Sequence, residues 1–186
     1  MSNKTQENLA KAFVGESQAR NRYSFFASVA KKEGLEQIAA IFQETADNEK
    51  EHAKRLFKLL EEVLVDIPTS VGAGIGDTKT NLKHAAKGEK YEWGTMYPSF
   101  EKEAREENEM EAADLFKELA EVEKEHEKRY LKLLDNVEKN MVFKREQPIK
   151  WHCRNCGYVH EGIEAPIECP ACKHPQAYYE ILSENY

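Results

Sequence analysis

Several features that mark common protein classes are missing from this 186-residue chain. No cysteine precedes position 153, and no apolar run approaches the roughly 18 residues that a membrane span requires. Basic residues are not in excess, since 27 Lys and Arg face 34 Asp and Glu, and the net charge of −7 argues against a nucleic-acid-binding surface. The polar stretch 1–7 has no apolar core of a secretory signal. We therefore expect a cytoplasmic protein that binds neither membranes nor nucleic acids.

Two regions of unlike composition divide the chain. From Thr5 to about Val142, Glu, Lys, Ala and Leu recur at helical spacing. The remainder holds all four cysteines, several prolines and little helical pattern, and the change falls near Arg145 to Pro148. We predict two domains, a helical bundle over residues 1–146 and a small metal-binding unit of strands and loops over residues 147–186.

Four helices, each with one inward-facing apolar row, account for the first region. The rows alternate steps of three and four residues, which is typical of a four-helix bundle. Gly34 is expected to separate the first two helices and Asn108 the last two, and such short joints make antiparallel neighbours. The connection from Val65 to Lys79 is long, so it must cross the bundle or reach another chain.

A repeated motif places polar residues where these apolar rows continue. Each copy of Glu-x-x-His-x-Lys-Arg puts a carboxylate and an imidazole on one face of a helix, and burying that pair is costly unless something such as a metal ion compensates. Two more inward glutamates come from the other two helices, so the full set is Glu16, Glu49, His52, Glu89, Glu123 and His126. One Glu from each of two helices and Glu-x-x-His from each of the other two is the ligand set of di-iron and di-manganese carboxylate bundles.

The internal duplication assigns a role to each ligand. Glu49 and Glu123 are expected to bridge two metals because each shares a helix with a histidine, and Glu16 and Glu89 are expected to be terminal ligands. The alternative is that these residues lie on solvated faces of Glu-rich helices, since a single Glu-x-x-His match is a weak signal. Two copies in the correct register with two partner glutamates favour the metal site.

Glu92 breaks the symmetry between the two halves. It lies three residues after Glu89 on the same inward face, where the first half has Ala19. Five carboxylates leave a net charge of about −1 with two ferric ions and an oxide, and also with two ferrous ions, in a core of low dielectric constant. We hypothesise that the reduced site exchanges Glu92 for neutral His52. Trp93, the next residue, is expected only to pack.

One extra residue also distinguishes the second half. Tyr23 lies seven residues after Glu16, whereas Tyr97 lies eight after Glu89. An insertion between Glu92 and Tyr97 predicts a π-helical bulge, and a longer turn before the last helix is the alternative. The hydroxyls of the two tyrosines either bond to ligand carboxylates or simply pack in the core.

The four cysteines form two Cys-x-x-Cys pairs that are separated by twelve residues. Such pairs supply four thiolates to one tetrahedral metal, and a chain in a reducing compartment is expected to bind metal rather than form disulfides. The residues alone favour iron over zinc only modestly. The predicted ligands of this site are Cys153, Cys156, Cys169 and Cys172.

The motifs together resemble the rubrerythrin family, over a region from about Thr5 to Tyr186. The resemblance implies an all-α, ferritin-like four-helix bundle followed by a rubredoxin-like four-cysteine domain, and no ligand position departs from the family pattern. It rests on G-E-S-Q-A-R from Gly15, E-K-E-H from Glu49, G-E-K-Y-E-W from Gly88, M-Y-P from Met96, E-K-E-H-E-K-R-Y from Glu123, and C-R-N-C-G-Y with C-P-A-C in the tail.

The resemblance also implies the metals and their ligands. One iron is implied at the four cysteines, and exchange of Glu92 for His52 on reduction agrees with the count of charges. Two irons are implied in the bundle, bound by Glu16, Glu49, His52, Glu89, Glu92, Glu123 and His126.

The activity implied by the resemblance is the reduction of hydrogen peroxide to water by a non-haem di-iron peroxidase in defence against oxidative stress. Electrons are expected to pass through the four-cysteine iron from an NAD(P)H-linked reductase or a separate rubredoxin. A homodimer is implied, with or without exchange of helices, in which the four-cysteine iron of one subunit lies near the di-iron site of the other. The alternatives are a ferroxidase or iron-storage protein of the ferritin class, and a non-enzymatic adaptor with a structural zinc site.

Overall fold

A computed structural model describes residues 4–60, 64–72 and 74–185. Residues 1–3, 61–63, 73 and 186 belong to the predicted domain ranges but lie outside the described residues. The helices are α1 (Lys4–Lys32), α2 (Glu36–Phe57), α3 (Thr78–Tyr91), a π-helix (Glu92–Met96), α4 (Tyr97–Glu106) and α5 (Met110–Glu138). Because α3, the π-helix and α4 follow one another without a break, they form one rod, and the described part of the bundle has the four rods that were predicted.

The joints between the rods follow the sequence signals. Gly34 (φ 75°) lies between α1 and α2, and Asn108 (φ 62°) lies between α4 and α5, both in the left-handed region that favours these residue types. At the start of α3, the Asp77 carboxylate accepts a hydrogen bond of 2.8 Å from the Thr80 N–H. The described parts of the long connection, residues 64–72 and 74–77, have no helix or strand.

Two apolar clusters fill the bundle, one toward each end. The first contains a group of packed aromatic rings, including Tyr23, Phe42 and Tyr130, with centroids 5.2–6.2 Å apart. The second contains Leu56 and Phe116. Along each rod, the predicted glutamate ligand lies between residues of the two clusters, so the polar residues form a buried layer between them.

The C-terminal unit is a small antiparallel sheet with strand order β2-β1-β3. Its strands are β1 (Lys144–Cys153), β2 (Val159–Glu164) and β3 (Tyr179–Ile181), so the predicted domain boundary falls inside β1. Its core consists mainly of buried Trp151 and Tyr179 together with the buried cysteines Cys153 and Cys169. The Trp151 indole N–H donates a hydrogen bond of 2.9 Å to the Gly162 carbonyl. None of the helices in the described ranges is long and apolar enough to cross a membrane.

Candidate metal centres

The structure brings six of the predicted bundle ligands into two groups. In each group the four ligand atoms lie within 4.8 Å of one another. Glu49 and Glu123 belong to both groups, as expected for residues that bridge two metals. The first group is Glu16, Glu49, His52 and Glu123, and the second is Glu49, Glu89, Glu123 and His126.

The distances within the groups follow the internal duplication. His52 Nδ1 lies 2.7 Å from Glu49 Oε2 and 3.1 Å from Glu123 Oε1. His126 Nδ1 lies 2.7 Å from Glu123 Oε2 and 3.3 Å from Glu49 Oε1. Two ligand atoms that each lie about 2.1 Å from a metal, at a right angle, are ~3.0 Å apart. The spacing therefore fits two metal ions that share both bridging carboxylates.

The hydrogen bonding of the cluster gives an independent test of this fit. Among the described residues, nine of the thirteen buried side-chain oxygen and nitrogen atoms that lack a hydrogen-bond partner belong to the seven predicted ligands. These nine include both oxygens of Glu49 and of Glu123 and the Nδ1 atoms of both histidines. Buried polar atoms are nearly always satisfied. A pair of metal ions would satisfy the eight of these atoms that belong to the six converging residues, because these ligand atoms converge but lack hydrogen-bond geometry toward one another.

Charge repulsion in the metal-free cluster points to the same conclusion. Burial and neighbouring carboxylates raise the pKa values of Glu16 and Glu89 well above the ordinary range, and they raise the pKa of Glu92 to about 8. Burial also raises the pKa of Glu49, but the two histidines outweigh this effect and lower it to about 2. Metal ions and protons therefore compete for these carboxylates.

Two buried tyrosines donate hydrogen bonds to the predicted terminal ligands. The Tyr23 hydroxyl donates a hydrogen bond of 2.6 Å to Glu89 Oε1, and the Tyr97 hydroxyl donates to Glu16 Oε1. Each tyrosine thus reaches from one half of the repeat to the terminal glutamate of the other half. The structure shows the hydrogen-bonded arrangement of these tyrosines rather than packing alone, and such bonds fix the orientation of a metal ligand.

Glu92 occupies a separate position next to the cluster. It is buried, with 7% of its surface exposed, at the first residue of the π-helix that the one-residue offset predicts. It belongs to neither group of converging ligand atoms, whereas His52 belongs to the first. Of the two residues that are expected to exchange, the structure therefore places His52 among the other ligands and Glu92 outside them.

An open groove leads from the surface to one ligand. It has a volume of about 580 Å³, lies between α2 and α5, and has His126 and Val122 among its lining residues together with Asn48 and Arg129. His126 itself is only 5% exposed. The groove gives small molecules or a docking protein an approach to the second group of ligands.

The four cysteines converge in the C-terminal unit. Their sulfur atoms lie within 4.8 Å of one another, with 3.8 Å between Cys153 Sγ and Cys172 Sγ and 3.6 Å between Cys156 Sγ and Cys169 Sγ. A tetrahedron with metal–sulfur bonds of about 2.3 Å has edges of ~3.8 Å. The geometry fits a single tetrahedral metal, and all four thiols are free of disulfides.

The two cysteine pairs sit on turns with the same geometry. The Gly157 N–H donates to the Cys153 carbonyl at 2.9 Å, and the Lys173 N–H donates to the Cys169 carbonyl at the same distance. Both donors have positive φ, 80° for Gly157 and 61° for Lys173. The His174 backbone N–H and other nearby donors lower the pKa of Cys172 to about 6, which favours the thiolate that a metal requires.

The fold and the two centres define a class of protein in which a four-helix bundle with a di-iron carboxylate site is joined to a small domain with a four-cysteine iron site. Comparison with protein-family models supports both parts. The Rubrerythrin model matches residues 7–134, and the model of the rubredoxin-like domain of rubrerythrin matches residues 151–180. The chain belongs to the rubrerythrin family.

Individual relatives cover nearly the whole chain. The rubrerythrin of Porphyromonas gingivalis is 56% identical over 184 residues, which is 98% of this chain and 92% of the relative. The rubrerythrin of Nitratidesulfovibrio vulgaris is 53% identical, over 98% of this chain and 96% of the relative. Among solved structures, nigerythrin in its fully reduced, all-ferrous state is 32% identical, with a TM-score of 0.67 over 98% of this chain and 88% of that chain.

The family and the geometry together establish the cofactors. The bundle carries the di-iron carboxylate and histidine site of the family, and the C-terminal domain carries its rubredoxin-like iron.

Proposed function

We propose that this protein is a non-haem di-iron peroxidase that reduces hydrogen peroxide to water as a defence against oxidative stress. The balanced reaction joins one peroxide with two electrons and two protons to give two water molecules. An iron pair held by the converging Glu and His residues of the bundle would supply the two electrons together, and an iron held by the four cysteines would replace them one at a time. The observation that carries the proposal is the presence of both centres in a single chain.

The proposed ligand roles follow the geometry of the two groups. Glu49 and Glu123 would each hold both irons, because each belongs to both groups of converging ligand atoms. Glu16 and Glu89 are terminal ligands whose orientation the tyrosine hydroxyls fix. His126 is a fixed ligand of its iron.

Glu92 and His52 are the ligands that exchange with the oxidation state in this proposal. The two residues approach the cluster from different rods, and both are buried or nearly so. A neutral imidazole suits the ferrous pair, since it removes one negative charge from a buried site.

The source of electrons is proposed to be an NAD(P)H-linked reductase or a separate rubredoxin, in the cytoplasm. We propose a homodimer in which the four-cysteine iron of one subunit lies near the di-iron site of its partner. The groove that ends at His126 supports this arrangement, because it leaves one ligand accessible to a docked domain. The long connection between α2 and α3 leaves room for an exchange of helices between subunits.

A ferroxidase of the ferritin class is the second candidate, because the bundle ligands alone would permit it. The rubredoxin-like domain favours the peroxidase, since iron storage needs no such electron-transfer centre. Addition of Fe²⁺ and O₂ to the protein separates the two candidates. Rapid turnover of the added Fe²⁺ with growth of a ferric mineral would contradict the peroxidase proposal, whereas the proposal predicts neither.

A variant of the tail site tests the proposed direction of electron flow. Cys156→Ser removes one of the four thiolates and is expected to abolish steady-state peroxide reduction that is driven by the reductase. The same variant, reduced chemically under anaerobic conditions, should still complete one turnover with peroxide, which serves as its internal control. Full steady-state activity in Cys156→Ser would show that electrons do not enter through the tail.

A further inference from the structure

The side chain of Trp93 links the π-helix to α5. Its indole N–H donates a hydrogen bond of 2.7 Å to Glu127 Oε2. The Lys90 ammonium lies 3.7 Å from the centroid of the indole ring, which is within the range of a cation–π contact. A hydrogen bond to an ionised acceptor is short and strong compared with a neutral one. The hydrogen bond from Trp93 to Glu127 therefore stabilises the packing of the π-helix against α5.

The two partners of this bond are chain neighbours of metal ligands. Trp93 directly follows Glu92, and Glu127 directly follows His126. A displacement of the π-helix relative to α5 would therefore move Glu92 relative to the ligands that α5 contributes. The bond therefore fixes the position of the π-helix relative to α5 directly beside Glu92 and His126.

Comparison of the two halves shows that only one of them has this link. The internal duplication aligns Glu16 with Glu89 and His52 with His126. In the first half, no residue equivalent to Trp93 or Glu127 can form the same hydrogen bond. The counterparts of Lys90, Trp93 and Glu127 are Ser17, Arg20 and Ala53. The link thus occurs in the half that also has the π-helix and the additional carboxylate.

We propose that Trp93 is a positioning residue for Glu92, and that its bond to Glu127 sets how well Glu92 reaches the iron that His52 leaves on oxidation. The inference rests on the proposed exchange of these two ligands. Loss of the bond weakens Glu92 as a ligand of the oxidised site. The reduced site, which uses His52, is affected less, so the variant site becomes easier to reduce.

Two substitutions remove the bond from opposite ends. Trp93→Phe keeps an aromatic ring for Lys90 but removes the N–H donor, and Glu127→Ala removes the acceptor. Arg20→Ala, at the equivalent place in the first half, is the matched control. The midpoint potential of the di-iron site is measured by anaerobic redox titration of the iron-loaded full-length protein, and the unfolding temperature is measured in parallel.

Both substitutions are expected to increase the ratio of reduced to oxidised di-iron site at least threefold at a given potential. A tenfold change in this ratio corresponds to 59 mV for one electron, so the midpoint potential should rise by about 28 mV or more. The double variant should shift no further than the larger single shift, because one bond is lost in each case. Arg20→Ala should not shift the potential. A drop in unfolding temperature without a change in potential would show that the bond only stabilises the fold, and would overturn the proposal.

A second measurement does not depend on bound iron. The chain has two tryptophans, so the indole N–H resonances of ¹⁵N-labelled metal-free protein are readily assigned. Glu127→Ala should move the Trp93 resonance upfield and leave that of Trp151 unchanged. An unchanged Trp93 resonance would show that the bond is not formed in solution, and would also overturn the proposal.

Glu92→Gln separates this inference from the proposed function. If Glu92→Gln shifts the potential but Trp93→Phe and Glu127→Ala do not, ligand exchange stands and the positioning role is wrong. If Glu92→Gln shifts neither the potential nor the rate with peroxide, the exchange itself is wrong, and the positioning role fails with it.

Discussion

The hydroxyl of Tyr23 provides the sharpest test of how the cluster is held. Tyr23→Phe removes one oxygen atom from a side chain that is 1% exposed and leaves the ring in place among its aromatic neighbours. That oxygen donates the 2.6 Å hydrogen bond to Glu89, which is fully buried. We expect the substitution to loosen Glu89 and thereby weaken metal binding in the second ligand group.

The size of the effect can be derived in two ways. A hydrogen bond to a charged group contributes about 1.5–3 kcal/mol. Loss of a hydrogen bond that orients a metal ligand typically lowers metal affinity about 10- to 100-fold, which is roughly 1.4–2.8 kcal/mol. The two ranges agree, so Tyr23→Phe should weaken one of the two bundle sites by one to two orders of magnitude.

The assay is competition between the protein and a chelator for Fe²⁺ under anaerobic conditions. Tyr130→Phe is the control, because Tyr130 is also fully buried and its ring centroid lies 5.5 Å from that of Tyr23, but its hydroxyl has no hydrogen-bond partner among the described residues. The control should bind both bundle metals with unchanged affinity. Equal affinity in Tyr23→Phe and the wild type, or equal losses in Tyr23→Phe and Tyr130→Phe, would refute the reasoning.

Three further predictions concern the bridging ligands, the pH dependence and the turns. Glu123→Ala should reduce the iron content from three per chain to one, whereas Glu16→Ala should leave two, as measured by metal analysis. The pKa of Glu92 is raised from 4.5 to about 8 in the metal-free protein. The stability that protonated Glu92 contributes is therefore fully present below pH 4.5 and is lost as the pH rises through 8. Between these pH values the unfolding temperature of the metal-free protein should fall, and the increase in unfolding temperature on adding metal should grow. Gly157→Ala places a side chain at φ 80° and should lower the free energy of unfolding, measured by chemical denaturation, by about 1–2 kcal/mol. Gly15→Ala lies in α1, where an added Cβ meets no atom within 4 Å. This second substitution should raise the free energy of unfolding by about 0.5–1 kcal/mol.

Each of these predictions has an outcome that would contradict it. Loss of a single iron in Glu123→Ala would show that this glutamate does not bridge. A metal-free protein that becomes more stable between pH 5 and 8 would show that the carboxylates are not buried together. Equal changes in the free energy of unfolding for Gly157→Ala and Gly15→Ala would mean that backbone conformation does not decide whether a glycine substitution stabilises or destabilises the protein.

The sequence was sufficient to predict the architecture and the six bundle side chains that converge in the structure. Apolar periodicity located the four rods, and the repeated Glu-x-x-His located the two carboxylates that belong to both groups of converging atoms, because helical geometry fixes which residues share a face. The π-helix followed from counting residues between Glu16 and Tyr23 and between Glu89 and Tyr97. These features depend on spacing within one helix or on the internal duplication.

Contacts between helices could not be predicted in the same way. The bond from Trp93 to Glu127 spans 34 residues, and its formation depends on how far the π-helix rotates the indole toward α5. Periodicity places Trp93 near the core but does not indicate its partner. The crossed arrangement in which Tyr23 reaches Glu89 depends likewise on rod packing, which sequence spacing does not determine.

Reoxidation of the reduced protein tests the central claim most directly. The iron-loaded protein is reduced under anaerobic conditions and mixed rapidly with one equivalent of hydrogen peroxide or, separately, with dissolved O₂, while the absorption of both iron centres is followed. The account predicts that peroxide reoxidises the di-iron site much faster than O₂ does, with two electrons taken up for each peroxide. Faster reoxidation by O₂, or a di-iron site that stays reduced in peroxide, would contradict it.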